Sequence, residues 1–139
     1  MTPLSEKEKQ VLLRFKQILL DRFGSQIVGM RLFGSKARGD AHPDSDIDVL
    51  VVTRRDDWKL KDEIGKVVTS ILLEESIYLS VKVLGMPSFR RLTRLSSPFL
   101  KNISRDGIPL CNEEATKKVE DAGRFIKRIQ ELLRDEKLL

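Results

Sequence analysis

Residues 32–52 read LFGSKARGDAHPDSDIDVLVV, two apolar runs flanking a polar loop that contains glycine and proline. The first run completes a segment from residue 27 to 33 with the alternation of a strand. The second, DIDVLVVT at 46–53, is β-branched and apolar, as a strand buried on both faces must be. Gly34-Ser35 directly follows the first strand, where glycine lets the chain turn sharply. Backbone N–H groups exposed in such a turn, beside a hydroxyl, form a cradle for phosphate oxygens. Lys36 and Arg38 add positive charge within a few residues, and arginine can grip phosphate with two hydrogen bonds. Asp46 and Asp48 stand at positions i and i+2, so a strand projects both carboxylates from one face, about 6–7 Å apart at the backbone. Two like charges held together call for a cation between them. Mg²⁺ prefers carboxylate oxygens and keeps coordination sites for a triphosphate. A phosphate cradle beside a metal-binding pair is the chemistry of an NTP site.

Working outward, Ser5 and Glu8 form a capping box ahead of a helix whose apolar positions are Val11, Leu12, Phe15, Ile18 and Leu19. Gly24 is the expected stop. Residues 57–75 form a second helix with Trp58, Leu60, Ile64, Val67, Val68, Ile71 and Leu72 as its stripe. A third strand covers 77–84, short helical pieces cover 89–95 and 98–104, and an edge strand covers 108–110. Residues 113–136 form a last helix. There Ala115, Val119, Ala122, Ile126, Ile129 and Leu133 step by 4, 3, 4, 3, 4 along one narrow seam. This order predicts an α+β (mixed α/β) fold, a small mixed sheet with helices packed on it. The division expected is a domain over residues 1–110 and a C-terminal helix over 111–139, packed on that domain or on a partner.

Composition narrows the classes. The 139 residues are 40% hydrophobic and 34% charged, a globular balance. No apolar run is long enough to span a membrane, and MTPLSEKEK lacks the apolar core of a signal peptide. Cys111 is the only cysteine, which excludes an intramolecular disulfide and a cysteine-rich zinc site. These features point to the cytoplasm. The net charge of +5 suits polyanions such as nucleotides, but 6% aromatic residues leave little for bases to stack on, against nucleic-acid recognition. His42 reads as an exposed loop histidine, and Asp40 and Asp44 as turn or capping residues.

Gly-Ser followed ten residues later by Asp-x-Asp opening an apolar strand resembles the signature of the polymerase-β nucleotidyltransferase superfamily. The wording around it is similar to that of its small stand-alone branch, the minimal nucleotidyltransferases. The resemblance implies a polymerase-β palm-like fold and two-metal nucleotidyl transfer from an NTP, with ATP expected. It assigns Gly34 and Ser35, with Lys36 and Arg38, to the phosphates, and Asp46 and Asp48 to Mg²⁺ and catalysis. The acceptor it implies is a hydroxyl on a partner protein or a small molecule. Many members accompany a small HEPN-class protein as the antitoxin of the pair, so a HEPN partner is an expectation, and the C-terminal apolar seam leaves a homodimer as another. Active members usually carry a third carboxylate on the next strand. Residues 77–84, IYLSVKVL, hold none, and Ser80 or Lys82 stands in its place. Glu74 and Glu75 lie just upstream but suit a helix end. The alternative is therefore a degenerate module that binds NTP–Mg²⁺, or only a partner, without efficient transfer.

Overall fold

The computed structural model describes residues 4–39 and 46–110. Helix α1 (Glu6–Phe23) begins at the capping box: the Ser5 hydroxyl accepts from the Glu8 amide, and the Ser5 amide donates to the Glu8 carboxylate. A short 3₁₀ turn at Gly24–Gln26 leads into β1 (Ile27–Phe33), which is followed by α2 (Gly34–Arg38) and β2 (Ile47–Thr53). Helix α3 (Trp58–Glu75) is capped by Asp57, whose side chain accepts from the amides of Lys59 and Leu60. Then come β3 (Leu79–Gly85), α4 (Met86–Arg94), α5 (Pro98–Asp106) and β4 (Ile108–Pro109). The strands form one mixed sheet in the order β3-β2-β1-β4. β1 is antiparallel to β2 and β4, while β2 and β3 run parallel.

Each face of the sheet carries its own core. On one face α1 and α3 bring Phe15, Leu19, Ile64 and Ile71 onto Met30, Leu32, Val49 and Val51. On the other α4 and α5 bring Phe89, Leu100 and Ile103 onto Leu50 and Val52. β2 is central and its residues from Val49 to Thr53 are all buried, as its unbroken apolar run requires.

Four expectations are corrected. Val28 does not share a face with Met30 and Leu32. A register shift between Ile27 and Gly29 turns it to the α4/α5 core, because one extra residue reverses the side of the sheet. Trp58 opens α3 with 74% of its surface exposed and Leu72 is exposed as well, so both leave the apolar stripe. The third strand starts at Leu79 rather than 77, since Ser76 adopts a left-handed conformation that ends α3. The polar loop after β1 opens as helix α2, closed by Gly39 at φ 88°. The expected C-terminal helix, its seam and Cys111 lie outside the described residues, as do Asp40, His42 and Asp44. Among the described residues, no helix is long and apolar enough to cross a membrane.

Candidate active site

The register sets the site. Phe33, Asp48 and Ser80 are Cα partners across β1, β2 and β3, and form one row near the end of the sheet. Strand periodicity puts them on the α4/α5 face, with Lys82, partner of Leu50, one step further along β3. Asp46 lies exposed immediately before β2. Phe33 meets Phe99 of α5 edge to face, with ring centroids 5.3 Å apart. This aromatic contact fixes one wall beside the carboxylates.

Gly34 turns the chain out of β1 at φ 75°. A Cβ there would collide with Oδ2 of Asp48, so the Gly-Ser turn and the carboxylate can approach this closely only because residue 34 has no side chain. Ser35, half-buried at the start of α2, accepts the Gly39 amide on its carbonyl at 3.0 Å. Arg38 is exposed on α2, and its charge acts on both Asp48 and Asp106. Gly34, Ser35, Arg38, Asp46 and Asp48 are thus brought to one end of the sheet.

Lys36 is not with them. It is 2% exposed and its Nζ lies 3.2 Å from the Glu8 carboxylate, so its charge is committed to α1. The Lys36 side chain, expected at the phosphates, is engaged in this buried ion pair. Arg31 was not anticipated in the interior either. It is fully buried on β1 and donates to the Gly107 carbonyl at 2.8 Å. A single charged residue within an apolar strand announces no such burial.

Burial raises the pKa of Asp48 above the ordinary 3.8, and the negative charge of Asp46 raises it further. A hydrogen bond from the Ser80 hydroxyl and the charges of Lys82 and Arg38 oppose the rise without cancelling it. The pair is therefore a place where added positive charge is favourable. Two carboxylates of this kind suit one Mg²⁺, a hard cation that takes oxygen ligands. A third acidic ligand is missing: among the described residues no group of three histidine, cysteine or acidic side chains could hold a metal. Glu74 and Glu75 do not supply it, because both pair with Arg14 of α1.

The sequence profile of the nucleotidyltransferase domain family matches residues 12–136. No curated protein matches the chain. Among solved structures, a toxin–antitoxin with AMP-PNP aligns at TM-score 0.50 and 20% identity, over 91% of this chain and 93% of that one. A Shewanella oneidensis structure, tri-AMPylated HEPN toxin with MNT antitoxin, aligns at TM-score 0.49 and 17% identity over 94% and 92% of the two chains. The first of these likenesses, at 20% identity, is one of fold.

Proposed function

This chain belongs to the nucleotidyltransferase domain family, and from that membership we propose that it transfers a nucleoside monophosphate from ATP, with Mg²⁺, to a hydroxyl on a partner protein or a small molecule. The observation that carries the reading is the contact between the Gly34 turn and Asp48, which brings a phosphate cradle against a carboxylate pair. The turn of Gly34 and Ser35 holds the β/γ-phosphates, and Arg38 adds a charged contact. Asp46 and Asp48 hold the metal, which when bound neutralises charge on the triphosphate. In the transfer, the acceptor oxygen bonds to the α-phosphorus, the bond to the bridging oxygen breaks, and pyrophosphate leaves. The acceptor's proton passes to solvent.

A HEPN-class protein is the partner we favour. Support comes from the resemblance to minimal nucleotidyltransferases and from the fold shared with a toxin–antitoxin that was determined with AMP-PNP. A second reading has its own observation: with Ser80 beside Asp48 where a carboxylate is usual, the chain binds NTP–Mg²⁺ and its partner without efficient transfer.

ATP labelled on the α-phosphate separates the two. The transferase reading expects label on a co-expressed partner protein or on a small-molecule acceptor, lost in Asp46→Asn with Asp48→Asn. Retained transfer in that double variant overturns the site assignment. Mg²⁺-dependent ATP binding without transfer to any acceptor leaves the binding-module reading standing alone.

A further inference from the structure

Among the described residues, the carboxylate count and the charge beside it disagree with two-metal chemistry. The lateral neighbour of Asp48 on β3 is Ser80, a hydroxyl, and a hydroxyl is a weak ligand for a divalent ion. On the same face, one step along β3, stands Lys82. Diagonal neighbours on adjacent strands lie about 7–8 Å apart, within the span of a lysine side chain. Lys82 is exposed on this face rather than folded into the core, and its charge is felt at Asp48. A second dication placed here would meet one carboxylate, a neutral hydroxyl and an opposing ammonium. The acidic residues at the end of the preceding helix, Glu74 and Glu75, pair instead with Arg14 of α1.

We infer that the nucleotide site takes one divalent cation, on Asp46 and Asp48, and that the Lys82 ammonium stands where the charge of a second cation would act, contacting a phosphate oxygen of the bound nucleotide. This rests on the nucleotidyltransferase reading above. It deepens that reading by setting the metal count and naming a further nucleotide-binding residue. Lysine supplies charge and hydrogen-bond donors but no empty coordination site, so Lys82 holds phosphate and does not hold an acceptor oxygen as a metal would.

The test uses the full chain, Mn²⁺ as the probe ion and α,β-methylene ATP as a nucleotide that cannot be cleaved at the transferred group. Paramagnetic resonance counts bound Mn²⁺ and calorimetry gives nucleotide affinity. The wild type is expected to bind one ion per nucleotide. Lys82→Ala should weaken nucleotide affinity about tenfold, as loss of a charge-assisted hydrogen bond does, while Lys82→Arg restores it. Ser80→Asp combined with Lys82→Ala should raise the count to two. Two ions in the wild type, unchanged affinity in Lys82→Ala, or a count that stays at one in the double variant each overturns this inference alone. Failure of the wild type to bind the nucleotide at all overturns the transferase reading with it.

Discussion

Asp48 is costly to the folded chain when no cation is bound. Its pKa stands above the ordinary 3.8 because of burial and of Asp46. Between 3.8 and the raised value, the folded chain keeps a proton that the unfolded chain has released. The contribution of Asp48 to stability is therefore most favourable below this window and falls as pH rises through it. Asp48→Asn removes that loss while keeping the size of the side chain against Gly34. At pH 7 without metal, the variant should be more stable than the wild type, read as a raised Tm. The gain should vanish in strong acid, and Mg²⁺-dependent nucleotide binding should be lost at every pH. A lowered Tm at pH 7 would contradict this account. That Asp46 and Asp48 act on one another was legible from their spacing, although Asp46 precedes β2 rather than lying on it. What could not be read was the contact of Asp48 with Gly34, or the choice between Ser80 and Lys82. Both depend on which residues of separate strands lie side by side.

Among the elements, α2 shows where local reading stops. Its five residues carry no usable period, and the burial of Lys36 depends on Glu8, 28 positions away. Glu8 has two tasks: it closes the capping box on Ser5 and neutralises Lys36. The start of α1 is thereby tied to the turn that carries Gly34 and Ser35. The two partners should respond unequally to removal. Glu8→Ala leaves an ammonium buried without its counter-charge and also opens the cap, so it should cost about 3 kcal/mol or more. Lys36→Met leaves a carboxylate that is partly exposed and still bonded to the Ser5 amide, and it should cost about 1 kcal/mol. The double variant Glu8→Gln with Lys36→Met should recover most of the loss caused by Glu8→Ala. Urea unfolding measures all three, and equal costs for the two single variants would refute the asymmetry. The capping box was legible from Ser5 and Glu8 alone, whereas this second use of Glu8 was not. Trp58 failed for the opposite reason: hydrophobicity counted it into a stripe, but it sits in the first turn of α3, beyond the reach of the core.

At the scale of the whole molecule, both faces of the sheet are covered, one by α1 and α3 and the other by α4 and α5. Apart from α2, the order of helices and strands was legible through residue 110, and so was the mixed sheet, because long apolar periods and their caps are local signals. The site shares the α4/α5 face at one end of the sheet, with α5 contributing Phe99 to its wall. Residues 113–136 carry the seam that includes Ile126, Ile129 and Leu133, and none of the described site residues belongs to that segment. We propose that this seam packs on a second chain, either a HEPN-class partner or another copy, the alternative being that it packs on this chain's own domain. Ile129→Asp with Leu133→Asp should then abolish co-purification of the partner, or dissociate a homodimer in sedimentation, while Mg²⁺–ATP affinity changes by less than about twofold. The affinity should hold because the substitutions lie outside the row of Phe33, Asp48 and Ser80. A variant that unfolds, or that loses nucleotide binding, would place the seam in this chain's own core. In that event the segment completes the fold, and the surface that receives a partner has to be sought on residues 4–110.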